Sequence, residues 1–569
     1  MARTSLLRSV REWLRLARLA DAEGLTAAEV LARQDAARAL SRRAVLKGLS
    51  AAAAVGVVVP ALTGCGDGAD SAAVDSGAGG GGPPPSGARV AIIGAGLSGL
   101  HCAYRLQQAG VRATVYDAWN RVGGRVFTAR GQYPEGLVAE LGGELIDTGH
   151  VTMHALAEEL GVELDDLFAD EPAGQTRQSW YFGGRYLTEA QVVEAFRTVA
   201  GKMLSTILTV DPGDGTFNDL EFARIDAMSL RTYLDEELRA PEPINRILSV
   251  AYLSDFGLEL EQQSAWNLLW LIDAETPEPF RVYGDSDERF HARGGSEVFI
   301  DKLVERLDAP ALLEHRLTRI AQAADGAFML TFDHAGAPVE AVYDRVVLTL
   351  PFTQLRKVEG IEALVSEEKR SMINDLGYGT NAKLMLGFGS RVWEVDHRRS
   401  GSITTDTGGQ TFWATSRKQP GINGILTNFV GGEGGVALGE GEPEAQATRV
   451  LDELEPLLPG LTMRYTMGSA RRMHWPSVPT HEGSYACFRP GQAAWAGLEG
   501  VAEGALHFAG EHTSVEGQGY MEGAAESGAR AATEVLDALG VARPEALKSR
   551  VGGRTGSSRS RRRPRVTGT

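Results

Sequence analysis

Strand-like and helix-like patterns of hydrophobic residues recur together in three separate parts of the chain, residues 88–165, 285–355 and 471–542. The first part opens with the apolar run Val90 to Ile93 and continues into a helical pattern. The third part contains an Ala-rich helical pattern from Gly517 to Leu539. Because strands that alternate with helices are typical of α/β folds, we predict one Rossmann-like domain assembled from these discontinuous segments.

The two intervening segments, residues 166–284 and 356–470, are richer in Trp, Tyr and long helical patterns. We predict that they form a second domain of mixed α+β structure on the substrate side. The chain has 569 residues and 43% hydrophobic content, which is enough for two domains with cores of their own.

Three glycines, Gly94, Gly96 and Gly99, follow the first predicted strand, and a helical pattern begins directly after them. In a strand–turn–helix of this kind, glycines allow a tight turn, a close approach of the backbone to a pyrophosphate, and close packing of helix on strand. Asp117, at the end of the next predicted strand, is placed to bind a ribose hydroxyl. A glycine-rich turn without a ligand is the alternative, but the run Arg121 to Arg125 completes a pattern that predicts a flavin-binding loop.

The chain is acidic, with 57 Lys and Arg against 74 Asp and Glu and a formal net charge of −17. Its two ends are basic, so the span between them is more acidic than the whole chain. A protein with this net negative charge repels nucleic acid and attracts cations, so we expect no nucleic-acid partner. The Arg-rich residues 543–569 are predicted to be a solvated, disordered tail, with contact to a polyanion or a membrane as the alternative.

An arginine pair, Arg42-Arg43, precedes an uncharged apolar run from Gly48 to Leu62 that leads into Cys65. This pattern over residues 1–65 resembles a twin-arginine export signal with a lipoprotein cleavage box, and the run is short for a membrane span. We expect a protein exported to the periplasm or cell surface and tethered to the membrane through lipidated Cys65. Residues 66–87, rich in Gly, Ser, Ala and Pro, are predicted to be a flexible linker.

Only three cysteines are present, Cys65, Cys102 and Cys487, and they imply no disulfide framework. Cys102 lies in the first predicted helix, where a small buried side chain is the expected role. The chain contains no H-E-x-x-H motif and no paired C-x-x-C motifs, so we predict no metal site.

Further motifs follow one another along the chain: Glu140-Leu-Gly-Gly143, Arg293-Gly-Gly295, Val346 to Pro351, Trp475, Gly483-Ser-Tyr485, Phe508-Ala-Gly-Glu511 and Gly519-Tyr-Met-Glu-Gly523. Together with the glycine-rich opening, they resemble the flavin-dependent amine oxidases, which include monoamine, polyamine and L-amino acid oxidases. The resemblance covers roughly residues 88–542. It implies FAD as the cofactor and an oxidase that removes a hydride from a carbon bearing an amine, with molecular oxygen taking up the electrons.

The resemblance and the chemistry of the side chains together predict a set of cofactor contacts. Arg121 and Arg125 are expected to bind pyrophosphate or flavin oxygens, because a guanidinium can donate two parallel hydrogen bonds to such a group. The alternative is that both are surface arginines. Glu511 is expected to accept hydrogen bonds from ribitol or ribose hydroxyls, with a helix N-cap as the alternative. The full set is Gly94, Gly96, Leu97, Ser98, Gly99, Asp117, Arg121, Gly124, Arg125, Gly143, Glu144, Leu317, Gly510, Glu511, Tyr520 and Met521.

Three aromatic residues are predicted to be catalytic. Tyr485 and Tyr520 match the two tyrosines that, in amine oxidases of this kind, stand on either side of the substrate nitrogen. Electron-rich rings steer an amine by contact with their faces, whereas ordinary core tyrosines are the alternative. Trp475 is expected to belong to the same wall, with a purely packing role as its alternative.

Lys383 is the fourth predicted catalytic residue. It lies in a strand-like segment from Thr380 to Leu386, where a lysine that points inward needs a partner or water. In the family, the matching lysine holds a water against the flavin and helps its reoxidation by oxygen. A lysine that reaches solvent from an edge strand is the alternative.

Two departures from the family pattern narrow the expected function. Family members with covalent flavin carry Cys directly before the tyrosine that matches Tyr485, and Ser484 stands there in this chain, so we predict non-covalent FAD. Leu145 stands where some L-amino acid oxidases carry an arginine for the substrate carboxylate. We therefore predict an oxidase of primary amines that yields imine or aldehyde, ammonia and hydrogen peroxide. The alternatives are an L-amino acid oxidase, then a related desaturase or porphyrinogen-type flavoprotein, for which Lys383 and the tyrosine pair would have no reason, and, from another class, a non-catalytic flavin-binding surface protein.

Overall fold

A computed structural model of the chain describes residues 87–169, 173–212, 217–275 and 278–547. The predicted export signal with Cys65, nearly all of the predicted linker, and residues 548–569 of the predicted tail lie outside the described residues. No helix within the described ranges is long and apolar enough to cross a membrane.

The chain alternates between strands and helices throughout the described ranges. The strands are β1 (Val90–Ile93), β2 (Ala113–Tyr116), β3 (Thr128–Ala129), β4 (Ala139–Glu140), β5 (Leu145–Ile146), β6 (Leu164–Asp166), β7 (Thr176–Phe182), β8 (Arg185–Leu187), β9 (Phe290–Ala292), β10 (Arg316–Gln322), β11 (Phe328–His334), β12 (Ala337–Tyr343), β13 (Arg345–Leu348), β14 (Ala382–Phe388), β15 (Arg399–Thr405), β16 (Thr411–Ala414), β17 (Gly424–Val430), β18 (Arg471–His474) and β19 (Leu506–Phe508). The α-helices are α1 (Leu97–Gln108), α2 (Val151–Leu160), α3 (Glu189–Val210), α4 (Asp219–Asp226), α5 (Leu230–Thr232), α6 (Ile244–Phe256), α7 (Ala265–Leu271), α8 (Glu297–Arg306), α9 (Phe352–Leu355), α10 (Glu367–Asp375), α11 (Val392–Val395), α12 (Gly432–Leu438), α13 (Pro443–Leu454) and α14 (Met521–Leu539).

A parallel sheet in the order β19-β13-β1-β2 forms the centre of the Rossmann-like part. Its strands come from all three of the segments that carry the predicted α/β pattern. Every residue of β1 is buried, which is typical of a parallel sheet covered on both faces. Helices α1 and α14 pack together, with Ser98 Oγ 3.3 Å from Ser527 Oγ. The predicted α/β class is confirmed.

The second part of the molecule is built on a seven-stranded sheet in the order β18-β14-β17-β16-β15-β7-β8. β7 and β15 are parallel, and the other neighbours are antiparallel. The long helices α3 and α6 lie in residues 166–284, whereas residues 356–470 contain the four strands β14 to β17 beside four helices of at most 12 residues, so the long helices predicted there are not found. β14 explains the difference, because all its residues are buried and its apolar side chains pack on both sheet faces.

The sequence from Leu312 to Ile320 has a strand-like pattern that favours a place in the Rossmann-like part, but the strand there begins only at Arg316 and belongs to another sheet. The observed strand β10 pairs with β11, which pairs with β12, and this three-stranded antiparallel sheet is separate from the parallel sheet. Leu312 makes only an isolated bridge to Tyr116. A two-residue turn, Ala335-Gly336, with both φ angles positive, joins β11 to β12 and so closes a hairpin.

Candidate active site

A cavity of about 660 Å³ lies at the carboxyl ends of the parallel strands and extends to the seven-stranded sheet. Residues within two positions of the ends of those strands line it, among them Gly94 after β1, Asp117 after β2, Thr349 after β13 and Gly510 after β19. In open α/β sheets, ligands bind outside the carboxyl ends of the strands. The topology therefore places the predicted ligand loops at one site.

The glycine-rich loop after β1 has the geometry that its sequence predicts. Gly94 has φ +111°, and a Cβ there would overlap the hydroxyl of Thr349. A Cβ on Gly99 would overlap the carbonyl oxygen of Gly94, so helix and strand approach as closely as expected. Helix α1 begins at the cavity without a side-chain cap, and Gly96, Leu97 and Ser98 line the wall there. The N-H groups of an uncapped helix start favour an anion such as pyrophosphate.

Asp117 lies beside this loop and is held by main-chain donors. Its two carboxylate oxygens accept from the N-H groups of Ala95 and Trp119, each at 2.7 Å. Burial raises the pKa of Asp117, and those two N-H groups act in the opposite direction. Since Asp117 also lines the cavity, it keeps the position expected of a ribose acceptor.

Arg125 and Glu511 meet on the cavity wall. The guanidinium of Arg125 donates to the carbonyl oxygen of Ser484 at 2.6 Å and to Glu511 Oε1 at 2.8 Å. Glu511 Oε2 accepts from the N-H of Gly519 at 2.9 Å. The alternative role of Glu511 as a cap of the last helix does not apply, because α14 starts at Met521 without a side-chain cap.

Arg121 and Leu317 are not among the cavity-lining residues. The guanidinium of Arg121 instead donates to Glu297 and to the carbonyl oxygens of Gly124 and Val126, at 2.7 to 2.9 Å. These contacts fix the loop that carries Gly124 and Arg125. Leu317 is buried in β10, in the separate antiparallel sheet. The structure therefore does not bring these two predicted cofactor contacts to the site.

Gly143 and Met521 touch each other at the cavity wall. A Cβ on Gly143 would lie 2.7 Å from Met521 Cγ, so a larger residue there would displace the methionine side chain. Gly124 lines the same cavity. Gly99 follows the cavity-lining residue Ser98 but does not line the cavity itself, and its role is to let helix α1 pack closely on β1.

Lys383 is buried in β14 and has three acceptors. Its Nζ lies 2.8 Å from Glu144 Oε2, 2.8 Å from the carbonyl oxygen of Gly142 and 3.3 Å from that of Glu140. The other carboxylate oxygen of Glu144 accepts from the indole N-H of Trp413 at 2.9 Å. Three acceptors compensate the burial of this side chain, so the alternative of a surface lysine does not apply.

The three predicted aromatic residues share one part of the cavity. The hydroxyl of Tyr485 donates to the carbonyl oxygen of Asp255, and the hydroxyl of Tyr520 lies 3.5 Å from Ser286 Oγ. A Cβ on Gly519 would lie 3.5 Å from the ring of Tyr485, which places the loop of Tyr520 beside that ring. The indole N-H of Trp475 donates to Leu141. The phenol of Tyr485 stays protonated, because burial raises its pKa well above the usual range.

Four further titratable residues line or support this part of the cavity, and the sequence did not single them out: Asp147, Asp255, Glu288 and His481. Burial and the charges of Asp147 and Asp255 raise the pKa of Glu288 to about 8. Burial, with the nearby guanidinium of Arg125, lowers the pKa of His481 to about 3, so its imidazole is neutral. The only signal in the sequence was the acidic run Asp285-Ser-Asp-Glu288, which has no periodicity to distinguish it from a surface loop.

The residues of the cavity fit FAD. The uncapped start of α1 suits a pyrophosphate, Asp117 suits a ribose, and the aromatic end with Lys383 suits an isoalloxazine ring and a small substrate. Cys102 and Cys487 are buried elsewhere and do not line the cavity, so neither can link to a flavin. Within the described ranges, no group of three or more His, Cys, Asp or Glu is arranged to hold a metal ion.

Comparisons with known proteins agree with this geometry. The model of the family described as flavin containing amine oxidoreductase matches residues 97–536. An L-amino-acid oxidase of Siganus canaliculatus is 27% identical over 457 residues, which cover 78% of this chain and 85% of that protein. The flavin-containing amine oxidase A of Equus caballus is 25% identical over 466 residues, which cover 79% and 85%.

Among solved structures, cyclohexylamine oxidase from Brevibacterium oxydans IH-35A superposes with a TM-score of 0.68 at 19% identity, covering 80% of this chain and all of that one. A wild-type putrescine oxidase bound to putrescine gives a TM-score of 0.66 at 19% identity, covering 79% of this chain and 99% of that one. At this identity, the two structures support the fold.

Proposed function

The chain belongs to the flavin-containing amine oxidoreductases, and from that membership and the charge of its cavity we propose that it is an oxidase of primary amines. FAD, bound non-covalently, supplies the hydride acceptor and passes the electrons to oxygen. The overall reaction converts R-CH2-NH2 and O2 to R-CH=NH and H2O2, and water then converts the imine to aldehyde and ammonia. All remaining chemistry falls to residues of the cavity.

One observation carries the choice of a primary amine: the aromatic end of the cavity is acidic. Glu288 and Asp255 line it, and Asp147 lies behind Glu288, to which it is hydrogen-bonded. An α-carboxylate that entered this end would meet the negative charges of Asp147 and Asp255, joined above about pH 8 by that of Glu288, in a place of low dielectric constant, which costs several kcal/mol by order of magnitude. An amine carries the opposite charge into the same place.

The residues of this end have distinct roles in the proposal. The rings of Tyr485 and Tyr520 hold the amine nitrogen between them by their electron-rich faces. The hydrogen bond from Tyr485 to the carbonyl oxygen of Asp255 fixes the orientation of one ring. Lys383 places a fixed positive charge beside the site where reduced oxygen develops negative charge, and Glu144 holds that lysine in position.

A second candidate function, oxidation of L-amino acids, is favoured by a group of arginines around Phe168. The guanidinium carbons of Arg177 and Arg417 lie 3.8 Å and 5.9 Å from the centre of its ring, and both residues line the cavity. An arginine pair there is suited to a substrate carboxylate. The acidic aromatic end and this arginine group favour different substrates.

Anaerobic reduction of the flavin decides between the two candidates. Pairs of substrates that share one side chain, a primary amine and the corresponding L-amino acid, are mixed with the holoenzyme, and the loss of the visible flavin band is followed. The proposal expects the amine of each pair to reduce the flavin faster. Faster reduction by the amino acids would assign the enzyme to L-amino acid oxidation, and bleaching by neither would leave a flavin-binding protein without this turnover.

We further propose that the protein is exported by the twin-arginine route and is anchored to the membrane at Cys65. The arginine pair Arg42-Arg43, the apolar run after it and the position of Cys65 support this proposal. Twin-arginine export carries folded proteins, which suits a chain that must bind FAD before it crosses a membrane.

A further inference from the structure

Glu288 occupies an unusual position in the cavity wall. Its φ angle of +47° lies in the left-handed region, which residues other than glycine rarely adopt. Its main-chain N-H donates to Asp147 Oδ1 at 2.7 Å, which holds the backbone in this conformation. The side chain lines the cavity, and no residue within the described ranges donates a hydrogen bond to its carboxylate. Strain of this kind persists where the surrounding structure enforces it, and it concentrates at functional sites.

The charges that face Glu288 come from several elements. Asp147, Asp255 and Glu144 repel a negative charge on it, whereas Lys383 attracts one. The phenol of Tyr283 also lies within the electrostatic reach of Glu288, and burial keeps it protonated by raising its pKa. Burial and the three carboxylates outweigh the lysine, so Glu288 binds a proton more tightly than an ordinary glutamate does.

Asp147 stays ionised behind Glu288. Burial alone would raise its pKa, but His150, the N-H of Glu288 and the hydroxyl of Ser286 hold the pKa of Asp147 below its usual value. His150 Nε2 lies 3.0 Å from Asp147 Oδ2, and Ser286 Oγ lies 2.9 Å from the same oxygen. Asp147 therefore supplies a fixed negative charge, and Glu288 is the member of the pair that takes up a proton.

A primary amine arrives as an ammonium ion, since its pKa is about 10. Loss of a hydride from the adjoining carbon requires the lone pair of the neutral amine, so a proton must first leave the nitrogen. Three other groups at this end do not suit that task. Lys383 Nζ is taken up by three acceptors, the phenol of Tyr485 is held protonated, and His481 is too weak a base.

We propose that Glu288 accepts the proton of the substrate's ammonium group before the hydride leaves, an inference that rests on the proposed amine oxidation. One N-H bond of the ammonium breaks, an O-H bond forms on the carboxylate, and the electron pair stays on nitrogen. The two groups thus exchange one proton without solvent. The O-H proton of Glu288 returns to water through the cavity when the product leaves.

A pair of amines with one carbon skeleton and different basicity tests this assignment. One is an ordinary alkylamine. The other is its analogue with fluorine next to the amine-bearing carbon, and this less basic amine is already largely neutral before it binds. Anaerobic flavin reduction is measured from about pH 8 to about pH 9.5 in the wild type, Glu288→Gln and Glu288→Asp. For the alkylamine, we expect the wild-type rate to change less than about twofold, whereas the rate of Glu288→Gln rises about tenfold per pH unit towards the pKa of the amine.

The fluorinated amine needs no proton acceptor, so its rate should fall less than about threefold in Glu288→Gln, and Glu288→Asp should recover part of the alkylamine rate. Equal losses for both amines, or a pH profile unchanged by Glu288→Gln, would overturn the assignment. The same pH signature in Asp255→Asn instead would transfer the role to Asp255 and also overturn it. Failure of every amine to reduce the wild-type flavin is a separate result that rejects the proposed function itself.

A binding measurement gives a second readout without turnover. tert-Butylamine has no hydrogen on its amine-bearing carbon and cannot be oxidised, so its Kd can be measured from the shift of the flavin spectrum. From about pH 8 to about pH 9.5, the Kd should change less than about threefold in the wild type and should tighten about thirtyfold in Glu288→Gln, because the variant must bind the neutral amine. Parallel pH profiles in the two proteins would show that Glu288 does not take the proton.

Discussion

Lys383 Nζ and Glu144 Oε2 lie 2.8 Å apart in the cavity wall, although 239 positions separate the two residues along the chain. Both side chains are buried, with exposures of 8% and 6%. A buried pair of this kind holds a charge at a fixed place, because the removal of one partner leaves the other without compensation. The proposed role of Lys383 thus depends on a residue that the sequence had suggested as a cofactor contact.

Lys383→Met should slow reoxidation of the flavin by oxygen more than it slows anaerobic reduction by an amine. The ammonium is needed where negative charge develops on reduced oxygen, so its loss should cost at least tenfold in the oxidative half-reaction. Stopped-flow measurement of the two half-reactions checks this. The control is Glu144→Gln, which breaks the same ion pair but keeps the ammonium. Equal slowing of reoxidation by both variants would assign Lys383 a structural role.

Gly96→Val should fold but bind little FAD. A Cβ at Gly96 meets no atom closer than 4.0 Å, so the protein has room for it, whereas a pyrophosphate at the start of α1 does not. The ratio of flavin to protein absorbance measures loading, and thermal unfolding measures the fold. Gly99→Val is the contrast, because its Cβ would overlap the carbonyl oxygen of Gly94 and should prevent folding. A normally loaded Gly96→Val would contradict the assigned pyrophosphate position.

Tyr485→Phe should weaken amine oxidation more than Tyr520→Phe does. The first change removes a hydroxyl that donates to the carbonyl oxygen of Asp255, whereas the contact of the Tyr520 hydroxyl with Ser286 Oγ is long, at 3.5 Å. A neutral hydrogen bond is worth about 1 kcal/mol, so we expect about a fivefold loss in the rate of flavin reduction for Tyr485→Phe. Replacement of either ring by Leu should cost more, because the ring face is lost too. Leu variants as active as the Phe variants would disprove the aromatic cage.

Glu288→Gln should stabilise the protein at high pH. The pKa of Glu288 is raised from the ordinary value of 4.5 to about 8, so the folded state holds a proton that the unfolded state releases. Below about pH 4.5, Glu288 is neutral in both states, so the variant gains no stability over the wild type. Between about pH 4.5 and 8, the wild type loses stability relative to the variant as the pH rises. Above about pH 8, the difference in stability is constant. Unfolding temperatures of the holoenzymes at pH 5 and pH 9 measure it. Glu340→Gln, on the exposed face of β12, is the control and should show no such difference.

Arg42→Lys combined with Arg43→Lys should keep the enzyme inside the cell, and Cys65→Ser should prevent its lipidation. The twin-arginine route requires the arginine pair, and a lysine preserves the charge, so the effect separates recognition from charge alone. Fractionation and lipid labelling of cells that express each variant give the result. Continued export of the double variant would refute the proposed route.

The amino-acid sequence alone determined the parts of the site that are local in the chain. The loop from Gly94 to Gly99 and Asp117 were predictable because a strand, a turn and a helix place them within one short unit, whose backbone geometry dictates the residue types. The buried position of Lys383 followed from its place in an apolar strand. The resemblance to the amine oxidases supplied Tyr485 and Tyr520, and the cavity does contain both.

Only the tertiary structure decided which distant residues meet. The guanidinium of Arg121 could bind a phosphate, but it forms an ion pair with Glu297 instead. Leu317 lies in the three-stranded antiparallel sheet and not in the cavity wall. Glu288 stands in a polar loop without periodicity, and its proton affinity arises from carboxylates on separate elements that packing brings together. Pairing of side chains so far apart depends on how the seven-stranded sheet lies against the parallel sheet. The spacing of residues in the sequence predicts local backbone geometry, over a few turns of a helix or one strand. Contacts between residues far apart in the sequence form only when buried surfaces of distant segments pack together.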